Sequence, residues 1–370
     1  MDKYDVGIVG AGIAGSCLAI LLAEAGLRVA VWEKEEYPKH KVCGEFVSLE
    51  SYDFFKELGL PLDDWNLPHI HKLRLTSQKG AELNATLKMG GFGISRHKLD
   101  YELAQQMIRS GVHFFPSTKV FQVTDNEVNT SNGVYTADLL IGAHGKYAPA
   151  YLPSPKQKQK NNYIGVKYHI TGDFAEDLIS LHSFDGGYCG MSKIEDEKYC
   201  LCYLVSADKL KDNHHDINEL EENVLFKNKI LASIFQEADF VWEKPLVISN
   251  VKFSKQSVSN NNMLFVGDAA GSISPLSGNG MSIAARSALI LSQLISKNLP
   301  KKHLIKNYNQ IWDKNFGKRV NQARFLNTIM LNPTSHHAVL HLLNGIKPLR
   351  NKVINDMQGE RFVRNTPLTR

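Results

Sequence analysis

The spacing of apolar positions changes period several times along the chain, and each change marks an element. Val6, Ile8 and Val9 form a short apolar run of the kind buried in a parallel sheet. Leu18, Leu21 and Leu22 then follow helical spacing over about residues 13–25, and Gly26 ends that helix as a C-cap would. Residues 27–31 read as a second strand, so the chain opens as a β-α-β unit. Leu99, Leu103 and Met107 form a second helical stripe, stopped by Gly111 and followed by a strand at 112–115.

Between these, residues 41–46 lead into a helix that has Ser48 as its expected N-cap and buries Phe54, Phe55 and Leu58. Residues 73–77 and 83–88 flank Lys79-Gly80 as a hairpin, and Gly90-Gly91-Phe92-Gly93 reads as a flexible return. Residues 119–124, 127–130 and 133–136 alternate like a meander, and 137–142 is another buried strand closing on glycine.

The composition shifts at 153–162, which reads as a linker or exposed loop. Beyond it, 163–171, 178–184, 187–194 and 199–206 alternate as an antiparallel sheet with one wet face, against which a helical stretch at 216–238 lies. Residues 263–266 form the last buried strand. Pro275, Gly278 and Gly280 break the path before a long apolar helix starts near Gly280. From Lys301 the chain is helical, with Tyr308, Trp312 and Phe316 along one face and Val339, Leu342 and Leu343 along another.

A chain of 370 residues with ordinary hydrophobic and charged fractions has ample material for a large core and two domains. No repeat of solenoid period and no apolar run of membrane-spanning length is present. Residues 1–9 lack a basic n-region and an apolar h-region, so no cleaved secretory signal is expected. Five cysteines, without C-x-x-C, point to reduced thiols and a cytoplasmic setting. Cys189, Cys200 and Cys202 read as sheet residues, since no fourth partner accompanies them and no metal site is expected. The charge is uneven: residues 301–370 carry 13 Lys and Arg against 3 Asp and Glu. Such a tail reads as a solvated helical face, or as a contact with a peripheral membrane surface or an acidic carrier protein. No nucleic-acid module accompanies it.

The chemistry begins at Gly10, Gly12 and Gly15, which stand at G-x-G-x-x-G spacing between the first strand and its helix. The first allows the turn, the second lets a pyrophosphate approach the backbone, and the third lets the helix pack close to the strand. Ile13 and Ala14 sit at the helix N-terminus, where free N–H groups and the positive dipole suit phosphate. Glu33, followed by Lys34, closes the second strand where an acid accepts hydrogen bonds from an unphosphorylated ribose. The dinucleotide is therefore FAD or NAD rather than NADP. Arg96 precedes a helix from which a guanidinium reaches phosphate or ribose, or pairs with an acid at the surface. Cys43-Gly44 forms an unusual pair soon after the β-α-β unit.

Three stretches, residues 10–33, 137–145 and 265–281, together resemble the FAD-dependent oxidoreductases of the aromatic-hydroxylase superfamily, which includes p-hydroxybenzoate hydroxylase-like monooxygenases, geranylgeranyl reductases and flavin halogenases. The resemblance covers about the first 300 residues. It implies an α/β fold: a Rossmann-like FAD-binding domain of glutathione-reductase type, an inserted antiparallel-sheet substrate domain and a C-terminal helical tail. The implied division is 1–70, 93–155 and 254–300 for FAD, 71–92 and 156–253 for substrate, and 301–370 for the helical region.

By resemblance Gly10, Gly12, Ile13, Ala14, Gly15, Glu33 and Lys34 hold the ADP half, with Cys43, Gly44, Arg96 and Val120 also at the cofactor. Asp268 takes the ribityl position, and Gly280 and Met281 the helix start under the flavin. The chain departs from many hydroxylases at His144 and Gly271. The resemblance implies, first, a monooxygenase that hydroxylates an aromatic or hydrophobic small molecule through a flavin C4a-hydroperoxide, with NAD(P)H as transient electron donor. The alternative is a reductase of an isoprenoid or activated C=C bond, for which Cys43 or Tyr188 is the candidate proton donor. Halogenation ranks below both, because Gly187-Tyr188-Cys189-Gly190 stands where halogenases carry a tryptophan-rich motif. A non-catalytic lipid carrier is the remaining alternative. The 163–206 sheet is expected to roof the substrate.

Overall fold

The computed structural model describes residues 2–152, 162–251, 258–260, 263–271 and 278–368. The expected linker at 153–162 and the turn containing Pro275 therefore lie almost wholly outside the described residues.

Two sheets organise the chain. The first has five parallel strands in the order Met263–Phe265, Gly133–Gly142, Lys3–Val9, Val29–Trp32 and His113–Phe115. Its central strand pairs Val6 with Val29 on one side and with Leu139 on the other. That explains the unbroken apolar runs, because helices cover both faces of such a sheet. The helix Ile13–Glu24 crosses from the first strand to the second, and Arg96–Arg109 and Gly280–Ile295 pack beside it. The meander Val120–Val123 and Glu127–Thr130 joins antiparallel onto Gly133–Gly142, which absorbs the two segments read separately at 133–136 and 137–142.

The second sheet contains Tyr163–Thr171, Tyr199–Ser206, Gly187–Lys193, Leu178–Phe184, His69–Thr76, Glu82–Gly93 and Phe46–Ser48, in that order. The four strands from 163 to 206 begin and end within a residue of their sequence-based bounds. The expected wet face is absent: all but the last residue of Tyr163–Thr171 is buried. One face carries the helices Ile217–Asn223 and Lys229–Glu237, with Leu220, Leu231 and Ile234 in a shared core. The other meets residues 41–45 and the C-terminal helices.

Residues 90–93 are strand rather than flexible return. A Cβ on Gly91 would lie 2.3 Å from the Phe46 ring, and one on Gly93 would lie 1.8 Å from the Lys193 carbonyl oxygen. These glycines permit close crossing of elements. Ser48 accepts from the Glu50 amide at 3.3 Å and starts the 3-10 turn Leu49–Ser51 before the helix Tyr52–Glu57.

The helices Lys301–Met330, Pro333–Gly345 and Lys347–Met357 follow. Tyr308, Trp312 and Phe316 are buried as the spacing predicts. The second stripe is shifted: His336, Leu340 and Leu343 face inward, while Leu342 is 51% exposed. Residues 358–368 return to the first sheet's layer. Phe362 packs 5.1 Å from Phe54, and Arg286 donates to the Pro367 carbonyl at 2.6 Å. Part of the tail's positive charge is matched inside the protein, where Arg319 meets Glu50 at 2.9 Å and Arg364 pairs with Glu24. Among the described residues, no helix is long and apolar enough to cross a membrane.

Candidate active site

The glycine turn shows three different steric demands. A Cβ on Gly10 would meet the Ala143 carbonyl oxygen at 2.5 Å, and Gly10 has φ +107°. A Cβ on Gly15 would meet the Gly10 carbonyl oxygen at 2.1 Å. Gly12 is unlike both, since the nearest atoms to its Cβ position are Lys41 Nζ at 3.7 Å and Arg96 Nη2 at 3.9 Å. Protein packing therefore explains Gly10 and Gly15 but leaves open space at Gly12, bordered by two cations. The helix beginning at Ile13 has no side-chain cap, which leaves its first amides for an anion. A pyrophosphate fits this cradle in charge and in space.

Glu33 is buried, and both carboxylate oxygens are engaged. Oε2 accepts from the Ala11 amide at 2.9 Å, and Oε1 accepts from Lys39 Nζ at 2.9 Å and the Glu35 amide at 3.1 Å. Burial alone would raise its carboxyl, but Lys39, Lys41 and the Ala11 amide together hold it below the ordinary carboxylate range. Lys34 is exposed and reaches Glu35 rather than the glycine turn. Val120 opens its strand next to the Thr118 amide, which donates to the Glu33 carbonyl at 2.7 Å. It thus lies on the same side of the sheet end as the acid.

Arg96 follows Ser95, which caps its helix. Its guanidinium donates Nε and Nη2 to the two oxygens of Asp100, at 2.8 and 2.7 Å. Lys41 Nζ donates to the same carboxylate at 2.8 Å. Burial would raise Asp100, yet Arg96 and Lys41 hold it at about 2. The acid orients both cations toward the glycine turn. Lys41 and Asp100 were missed as site residues. The available signal was the pair of lysines flanking His40 just after the acid-bearing strand, and an acid one helical turn after Arg96.

Residues 41–45 are clamped from below. Glu45 is fully buried with φ +55°. Its Oε1 accepts from Lys167 Nζ at 2.5 Å and from the Arg96 amide at 2.7 Å, and its Oε2 accepts from His169 Nε2 at 2.6 Å. Cys200 Sγ lies with Glu45 and His169 in one cluster, but its thiol donates to the Cys43 carbonyl and burial raises it well above its ordinary range. Hydrogen bonds among these side chains account for the cluster. Cys43 is half-buried and Gly44 exposed.

Asp268 lies in the turn Gly267–Ala269. Gly267 has φ +65°, and a Cβ there would touch Ala14 at 2.7 Å and Ala284 at 3.6 Å. The turn is thus wedged between the two helix starts. Burial raises Asp268, against the pull of Lys146 and Arg96. Gly280 begins its helix behind Asn279, which makes no side-chain cap, and Met281 is buried at the first turn. A second uncapped N-terminus therefore faces the same region. His144 packs edge-on to Phe265 at 5.6 Å, and burial depresses it to about 4.

Beside this site lies an apolar cavity that the sequence did not reveal. Leu73, Leu83, Ile179, Met330, Leu340 and Val353 are among its walls. Phe46, Gly278 and Asn279 also line it, which brings it to the foot of the Gly280 helix. Among the described residues, three C-terminal helices and four strands of the second sheet enclose it. Of the sheet expected as roof, only the strand Leu178–Phe184 contributes. Tyr188 is buried among Tyr163, Leu204 and Met330 instead of lining this cavity.

Comparison with known proteins gives the family and the fold. Residues 3–322 match a family described as FAD binding domain. Conditioned medium factor receptor 1 of Dictyostelium discoideum is 26% identical over 353 residues, covering 85% of this chain and 68% of that protein. Kynurenine 3-monooxygenase of Christiangramia forsetii is 24% identical, covering 85% and 75%. Among solved structures, the flavin-dependent brominase Bmp2 superposes with TM-score 0.81 at 16% identity, covering 96% of this chain and 93% of that one. A geranylgeranyl bacteriochlorophyll reductase-like protein from Thermoplasma acidophilum superposes with TM-score 0.76 at 16% identity, covering 98% and 97%. The two structures share the fold, and the family match, which spans most of the chain, makes this protein a member of the FAD binding domain family and a flavin-dependent oxidoreductase.

Proposed function

We propose that the protein is an FAD-dependent monooxygenase that hydroxylates an apolar small molecule, with NAD(P)H as transient electron donor. Bound flavin would supply the redox and oxygen-transfer chemistry. The chain's residues supply the rest. Gly12, the amides after it, Lys41 and Arg96 would neutralise the pyrophosphate, and Glu33 would take the ribose. Asp268 would meet the ribityl chain, and the N-terminus at Gly280 would favour negative charge on the reduced ring.

The observation that carries the reading is the aliphatic cavity against the foot of the Gly280 helix. Such walls exclude water, which oxygen transfer requires. They also hold a hydrophobic substrate without a cation to fix a carboxylate. A C=C reductase needs a proton donor at the substrate. Among the described residues lining the cavity, only His336 titrates, and burial, with His337 adding to it, depresses it to about 4. The aliphatic rather than aromatic character of the walls nonetheless favours a chain-like substrate, which keeps isoprenoid reduction as the second reading.

The test supplies the FAD-loaded protein with NADPH and an apolar metabolite extract under isotopically heavy dioxygen. The expected product is a compound that has gained one heavy oxygen atom, seen by mass spectrometry. A compound that has gained two hydrogens and no oxygen would overturn the monooxygenase reading in favour of the reductase.

A further inference from the structure

Among the described residues, four polar side chains, Ser48, Asn279, His336 and Gln358, interrupt the otherwise aliphatic cavity. Ser48 accepts from the Glu50 amide, Asn279 donates to the Met357 carbonyl and Gln358 accepts from the Met89 amide. His336, 2% exposed, lies in the first turn of the helix Pro333–Gly345 and belongs to the cavity wall. Its Nδ1 is 2.5 Å from Ser183 Oγ on the facing strand. Its Nε2 is buried and has no hydrogen-bond partner among the described residues. Among the described side chains lining this cavity, it is the only atom of that kind. A buried polar atom left unsatisfied costs stability, so its retention calls for an explanation.

The hydrogen inventory assigns its role. Ser183 Oγ has one hydrogen-bond partner among the described residues, which is His336. The serine hydroxyl carries a proton that needs an acceptor. If Nδ1 held the ring proton, that hydroxyl proton would be buried with nowhere to go. The Ser183 hydroxyl is satisfied when it donates to Nδ1, which leaves the ring proton on Nε2 as the one donor still without an acceptor. The imidazole is neutral, because burial depresses it to about 4.

We infer that the cavity binds a ligand with a predominantly aliphatic body and one uncharged oxygen acceptor, a ketone, phenol or hydroxyl, held by the Nε2–H of His336. The inference rests on the proposed reading of this cavity as the substrate site, and it names the substrate class. A carboxylate is disfavoured by the same walls, since the described lining side chains include no cation to offset the burial of its charge. His336 is here a specificity residue that fixes which way round an otherwise featureless chain lies.

Headspace partition of volatile ligands over the FAD-loaded protein tests it without any turnover, so failure of the oxygenase reading would leave the result interpretable. Methyl nonyl ketone and undecane are the volatile probes, and decanoate, which is not volatile, is followed by equilibrium dialysis. In His336→Phe the ratio of ketone to undecane affinity is expected to fall about tenfold from wild type, as loss of one buried hydrogen bond implies. Decanoate should bind most weakly to wild type. Nitrogen NMR of the wild-type protein adds a readout independent of folding of the variant. The His336 Nε2 resonance should move with the ketone and stay fixed with undecane. An unchanged affinity ratio in His336→Phe, an unmoved Nε2 resonance, or no binding of ketone and undecane to wild type would each overturn the inference.

Discussion

Gly12→Val is expected to give a folded protein that carries no FAD. Open space surrounds the Gly12 Cβ position, with Lys41 Nζ and Arg96 Nη2 the nearest atoms and both at the ends of long side chains. The valine therefore meets little protein, but it fills the place where the pyrophosphate must approach the backbone. The melting temperature of the flavin-free protein should match that of flavin-free wild type. Flavin absorbance after purification and FAD titration should show affinity reduced by at least about a hundredfold, a loss of roughly 3 kcal/mol. Gly15→Ala is the contrast. Its Cβ would lie 2.1 Å from the Gly10 carbonyl oxygen, so it should lose folding and flavin together. A Gly12→Val protein that retained full FAD occupancy would show that the cradle is not the cofactor site.

Glu45→Ala is expected to destabilise the protein by about 3–5 kcal/mol, because it strands the Lys167 ammonium in a fully buried place. Glu45 also holds the Arg96 amide and His169, so the change loosens both the cation that faces Gly12 and the sheet beneath. Chemical denaturation measures the loss. Replacing Glu45 and Lys167 together by methionine should recover most of it, since no uncompensated charge then remains. The pH dependence has a defined sign. Burial would raise the Glu45 carboxyl, but His169 and Lys167 hold it below its ordinary value. Its contribution is therefore present above the unfolded carboxylate pKa and is lost as pH falls through the lower folded value. If Glu45→Ala and wild type unfold at the same denaturant concentration, the clamp has no energetic role.

Local pattern carried the architecture further than it carried the site. Val6, Ile8 and Val9 announce a doubly covered strand because burial on both faces removes alternation. The strands at 163–206 announce their ends because turn residues bracket them. What local pattern misled on was contact between distant segments. Gly90 to Gly93 read as a flexible return, since nothing nearby in sequence shows that Phe46 and the Lys193 backbone press against two of them. Leu342 read as inward and Leu340 did not, because a helix with apolar residues at 339, 340, 342 and 343 fits more than one face until the sheet beneath is known.

The glycine motif was legible residue by residue, since its spacing is dictated by backbone geometry. Asp100 was not, because its importance lies in gathering Arg96 and Lys41, which are 59 positions from it in the case of the lysine. The cavity was least legible of all. Its walls join strands from 69–93 and 178–184 to helices beyond 301, and the basic count of that last region drew attention to its surface rather than to its apolar underside.

On the proposed reading, the FAD cradle and the aliphatic cavity are one active site that meets at Gly278 to Gly280. Difference absorption spectroscopy of the flavin during titration with methyl nonyl ketone tests this most directly. A saturable shift of the flavin bands, with the affinity found by partition, is expected. Ketone that binds with that affinity and leaves the flavin spectrum unchanged would contradict it.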